Sequence, residues 1–171
     1  PAVRITGNVV VIRGFVINGD DRAAISADRG MGITAGSSIE ISRNTLYAER
    51  EASKLDIDGY SSVNVNYNLF YNPAAAVATR GVFGNVISIS DAHNVVIDRN
   101  AILGRISNSG NNETAIALSG IEGPSVGVPG TISITRNIIT GNYAGTGSQP
   151  GFANGITFVT GTSGADIIFD D

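Results

Sequence analysis

Apolar residues recur along this chain as pairs at spacing two, and each pair belongs to one short phrase. Four copies read Ile39-x-Ile41-x-x-Asn44-x-Leu46, Val63-x-Val65-x-x-Asn68-x-Phe70, Val95-x-Ile97-x-x-Asn100-x-Ile102 and Ile132-x-Ile134-x-x-Asn137-x-Ile139; Val10-x-Ile12-x-x-Phe15-x-Ile17 is a degenerate first copy. Two apolar residues two apart place both side chains on one face of a strand, the next two turn outward, and a second inward position follows the Asn. The phrase therefore predicts two short strands joined at a corner. Asn tolerates a left-handed backbone and its amide bonds to neighbouring backbone groups, so it suits the corner. A corner that recurs in every coil stacks Asn44, Asn68, Asn100 and Asn137 into an internal ladder, each amide bonded to the coils above and below.

The steps from Phe15 to Asn44, Asn68, Asn100 and Asn137 are 29, 24, 32 and 37 residues. A fixed phrase with variable intervals is the pattern of a repeat array with insertions on its loop side. A further apolar pair precedes each phrase: Val3-x-Ile5, Met31-x-Ile33, Leu55-x-Ile57, Ile87-x-Ile89, Ile116-x-Leu118, and Ile156-x-Phe158 near the end. Each coil thus carries three short strands, and the expected fold is an all-β parallel solenoid of about five to six coils forming a single domain over residues 1–171.

Composition narrows the class. Hydrophobic residues make up 42% and charged residues 15%, which is globular rather than disordered. With only 6% aromatic residues and no Trp, the core must be stacked Ile, Val and Leu. No Cys is present, so there is no disulfide framework and no thiolate metal site. A net charge of −4 and a pI near 4.9 argue against nucleic acid as a partner. No apolar run approaches the roughly 20 residues that span a bilayer, so membrane insertion is not expected. The chain opens at Pro1 directly in a strand and ends within a further phrase, which reads as a piece of a longer solenoid or a processed one.

The phrases "NVVVIRGFVING", "SSIEISRNTLYA", "HNVVIDRNAILG" and "GTISITRNIITGN" resemble the right-handed parallel β-helix superfamily of pectate lyases, polygalacturonases, mannuronan epimerases and phage tailspikes. The resemblance covers residues 3–169. It implies a right-handed single-stranded β-helix and an extracellular or cell-surface setting. It leaves lyases, hydrolases, epimerases, adhesins and structural shafts all open.

Enzymes of that superfamily keep their active site on the first strand of each coil. Its outward positions are expected to be Arg4 and Thr6, Gly32 and Thr34, Asp56 and Asp58, Ser88 and Ser90, Ala117 and Ser119, and Thr157 and Val159. On this reading one coil alone offers carboxylates. Asp56 and Asp58 point the same way, roughly 6.6–7 Å apart along the strand. That separation could hold a calcium ion with help from loops, or place an acid and a base for glycoside hydrolysis with inversion. The opposing expectation is a solvated pair on a polar face. The lyases also need an Arg or Lys base, and Arg29 and Arg80 lie in loops. His93, the sole His, sits in a turn beside Asp91 and is expected to serve that turn.

A second outward feature is more regular. The residue before each ladder position is Gly14, Arg43, Tyr67, Arg99 and Arg136. Stacked at about 4.8 Å per coil, Arg99 and Arg136 would be like-charged neighbours, with Asp98 and Glu40 at hand to neutralise them. The stripe is a candidate binding edge for an acidic polysaccharide, with Tyr67 as a stacking surface, or else a solvated Arg ladder.

The stretch 161–169 fits the calcium-binding nonapeptide G-G-x-G-x-D-x-U-x except at its second Gly, which makes Asp166 a metal candidate. It also fits a last partial coil with Ile167 and Phe169 inward, and this register is preferred because one nonapeptide builds no calcium site. The functional expectation is a non-catalytic extracellular shaft, structural, adhesive or carbohydrate-contacting, that stacks end to end on its own kind or on further coils. The alternative is a polysaccharide lyase, epimerase or hydrolase acting through Asp56 and Asp58.

Overall fold

The computed structural model describes residues 1–19, 23–30, 32–47, 55–71, 85–103, 106–108, 114–123, 130–140, 143–145, 154–158 and 166–170; for 106–108, 140, 143–145, 154 and 166–170 it describes the backbone alone. The described residues form an all-β structure of parallel strands in stacked sheets, compatible with a parallel β-helix.

The chain visits three large sheets in rotation, and Ile106–Asn108 pairs with Tyr143–Gly145 in a separate two-stranded sheet. The first holds Val3–Arg4, Ile25–Asp28, Leu55–Asp58, Ile87–Ala92, Thr114–Ile121 and Asn154–Phe158, in that order. The second holds Val9–Arg13, Thr34–Ser42, Tyr60–Asn66, Asn94–Asp98, Thr131–Thr135 and Asp166–Asp170, and the third Val16–Asn18, Thr45–Tyr47, Leu69–Tyr71, Ala101–Leu103 and Ile138–Thr140. Every pairing is parallel and like residues meet in register, so Ile12, Ile41, Val65, Ile97, Ile134 and Phe169 form one column. The backbone of Ile167 likewise registers with that of Ile132.

Alternation explains the core. Inward positions of successive rungs, among them Ile25, Leu55, Ile87 and Ile116 on the first sheet and Ile39, Val63 and Val95 on the second, are at most 2% exposed. One expected strand was misplaced. Met31 lies outside the described residues, and the first-sheet strand of the second rung is Ile25–Asp28, with Ile25 on Leu55 and Ala27 on Ile57. Gly30 and Gly32 both have positive φ, 61° and 69°, which belongs to a turn rather than to a strand interior.

The ladder forms as expected, with one correction. Asn44, Asn68 and Asn100 are 1–2% exposed, and each donates from Nδ2 to the Oδ1 of the next Asn along, at 3.1, 3.0 and 2.9 Å. The same nitrogens, with that of Asn137, also donate to the carbonyls of Ile12, Ile41, Val65 and Ile97 one rung back. Each Oδ1 accepts in addition a backbone N–H, from Phe15, Asn44, Asn68 and Asn100 in turn. The left-handed residue is not the Asn. It is the residue before it: Arg43, Tyr67, Arg99 and Arg136 have φ of 57°, 55°, 52° and 52°, and Gly14 has 78°. The corner thus turns on the outward residue and leaves Asn free to bond inside.

Candidate functional site

Outside the corner, the stripe is an ordered stack. Tyr67 lies between rungs bearing Arg43 and Arg99, whose guanidinium carbons sit 5.5 and 5.2 Å from its ring centroid. The ring is thus in cation–π range of two guanidiniums and is still 47% exposed. Its hydroxyl accepts a 2.8 Å hydrogen bond from Arg99 Nη1. Arg99 also donates to Asp98 Oδ2 at 3.0 Å, while Arg136 grips the same carboxylate with two bonds, from Nε to Oδ1 and from Nη2 to Oδ2, each 2.9 Å. A fork-on-carboxylate contact of this kind fixes orientation as well as charge.

Asp98 is thus the neutralising group expected between Arg99 and Arg136. Burial alone would raise its pKa, but hydrogen bonds from Thr135 and Arg136 and the charges of Arg136 and Arg99 hold it below the ordinary aspartate value. Glu40 does not serve the stripe. It pairs with Arg13 at 2.6 Å and accepts from Ser42 at 2.7 Å. Arg43 has no carboxylate partner among the described residues.

The strand correction changes the first sheet. Its outward columns read Arg4, Ser26, Asp56, Ser88, Ala117 and Thr157, and then Asp28, Asp58, Ser90 and Ser119. Ser26 and Asp28 replace Gly32 and Thr34, so Asp28 stands one rung from Asp58 and carboxylates are not confined to one coil. Burial raises the Asp56 pKa, and the charges of Asp28 and Asp58 add to it. Burial also raises Asp58, with Asp91 and Asp28 contributing, against a 2.7 Å bond from Ser90 Oγ that lowers it. Carboxyls that hold their proton more tightly than usual are chemically suited to general acid work.

Among the described residues these carboxylates have neither a cationic partner nor a third converging metal ligand. Among the described residues no group of three His, Asp or Glu could hold a metal ion. Asp166 begins a strand of the second sheet, opposite Thr131, so the three metal candidates are not gathered on one face. Residues 161–165 and Arg80 lie outside the described residues. Arg29 turns away from the acidic columns: its guanidinium lies 5.3 Å from the Tyr60 centroid and donates to Gly7 O at 3.2 Å. His93 ties its turn to the next rung, with Nδ1 2.8 Å from Glu122 O and its carbonyl accepting from Thr131 N at 2.9 Å.

Sequence reasoning missed Asp28, although Ile25-x-Ala27 carries the same alternation as its neighbours. It also missed Asp91 as a contributor to Asp58; Asp91 has a φ of 47° and leaves no room for a side chain at Gly120. No helix among the described residues is long and apolar enough to cross a membrane. No family model, no curated protein and no solved structure matches the chain.

Proposed function

We propose that this chain is a right-handed parallel β-helix of the pectate lyase-like kind, with five full coils and a sixth begun, acting without catalysis. It serves as a rigid extracellular or cell-surface shaft that contacts an acidic polysaccharide along the Arg43-Tyr67-Arg99-Arg136 edge. One observation carries this reading. A left-handed residue other than Gly costs about 1 kcal/mol, and four successive corners bear that cost with a long exposed Arg or Tyr. Gly, used at the first corner, would turn the chain more cheaply. The side chains are therefore kept for what they do outside the fold. Phe15, at the ladder position of the first rung, is 59% exposed, and the inward Val10 and Ile12 of that rung are only partly buried, which supports end-to-end stacking on further solenoid coils.

Affinity electrophoresis of the purified chain in gels cast with polygalacturonate or alginate tests the proposal. Retardation that weakens with salt is expected, with the polymer left intact. Mobility unaffected by either polymer would refute it.

The raised pKa values of Asp56 and Asp58 favour a second reading, an enzyme of the lyase, epimerase or hydrolase type. Under that reading the polymer is cleaved or epimerised, and Asp56→Asn or Asp58→Asn abolishes the change.

A further inference from the structure

The stripe does not present four equivalent charges, and its internal pairing carries a prediction about the ligand. Arg43 is exposed and bonded to no carboxylate among the described residues, whereas Arg99 and Arg136, with side chains 40 and 45% exposed, share the single carboxylate of Asp98. Arg13, on the rung before Arg43, is cancelled by Glu40. Among the described residues two net positive centres of the edge remain, Arg43 and the Arg99–Arg136 pair. Tyr67 stands between them as a spacer, its ring flanked by guanidiniums and its hydroxyl bonded to Arg99. The centres are two to three rungs apart, about 10–14 Å along the axis at the spacing of adjacent strands.

We infer that Asp98 is a specificity-determining residue: by cancelling one guanidinium it sets the charge spacing of the edge, so that the edge fits a linear acidic polysaccharide showing one acidic group per two sugars along its contacting side. An extended polyuronate has this property. Its successive sugars face alternately, and each edge of the ribbon shows every second carboxylate. Closely spaced anions such as polyphosphate fit the array less well, because neighbouring charges would fall on Tyr67 and Asp98. The inference rests on the polysaccharide-binding reading and adds to it the repeat that is read and the residue that sets it.

Titration calorimetry of the full chain with uronate oligomers of defined length tests it. A tetramer offers two carboxylates on one side and a dimer one, so the wild-type chain should bind the tetramer at least about tenfold more tightly. Arg43→Gly, at a corner that already suits Gly, should remove most of that advantage and flatten the salt dependence of binding. Asp98→Asn should tighten binding and steepen that dependence, because a third charge is released. Equal affinity for dimer and tetramer in the wild-type chain overturns the inference, and so does an Asp98→Asn variant that melts cooperatively yet binds no better. Tighter binding of polyphosphate than of polyuronate at equal charge also overturns it. Absence of binding to every uronate would instead remove the polysaccharide reading itself.

Discussion

The inside and the outside of one corner, a single residue apart, follow opposite rules. Inside, Asn44, Asn68 and Asn100 are buried; each amide nitrogen makes two hydrogen bonds to adjoining rungs, as do the amide oxygens of Asn68 and Asn100, while that of Asn44 accepts one from Phe15 N. Outside, Arg43, Tyr67, Arg99 and Arg136 are exposed and hold a backbone conformation that disfavours them. The inner residues contribute stability and are silent to any ligand. The outer ones bear the cost of a left-handed backbone, partly offset where Arg99 and Arg136 hold Asp98, and they are exposed to solvent.

The largest break in this comparison is Asn68→Ala. It deletes the acceptor for Asn44 N and Nδ2 and the donor to Ile41 O and Asn100 Oδ1, orphaning buried backbone groups on both sides. A loss of about 3–5 kcal/mol in denaturant unfolding is expected. Tyr60→Phe should cost less, about 1 kcal/mol, since the buried hydroxyl donates one 2.8 Å bond to Gly7 O.

Two carboxylates sharpen the comparison through pH. Asp98 has a lowered folded pKa, so its contribution is present above the unfolded aspartate value and is lost as pH falls through the lower folded one. Asp98→Asn should therefore reduce the melting temperature at neutral pH, with the deficit closing only in strong acid. Asp56 has a raised folded pKa, chiefly from burial, so ionising it as pH rises through that value weakens the fold. Asp56→Asn should raise the melting temperature at neutral pH and show no gain once pH falls below the ordinary aspartate value. The smallest effect belongs to Arg43→Gly: relief of the left-handed strain against greater freedom in the unfolded chain leaves a change within about 1 kcal/mol.

Much of this fold is legible in the sequence, because period-two alternation and a recurring Asn are direct consequences of stacked strands. The second rung shows where legibility ends. Met31 stands eight residues before Ile39, as Leu55 and Ile87 stand before Val63 and Val95, so spacing favoured a strand that the structure places at Ile25–Asp28. The glycines at 30 and 32 carried the contrary signal, and the short side chain of Ala27 hid the true one. That one misplacement concealed Asp28, and with it the extent of the acidic columns. The stripe was legible as a list of residues, but its pairing was not. The sharing of Asp98 between Arg99 and Arg136, and the two guanidiniums beside the Tyr67 ring, depend on side-chain geometry that spacing alone does not encode.

The central claim is that the residue before each ladder Asn is retained for contact rather than for folding. Its most direct test is the affinity of the Arg43→Gly chain for polyuronate, measured where its unfolding curve overlays that of the wild type. A loss of about tenfold or more with stability unchanged is expected. Wild-type affinity in that variant would contradict it.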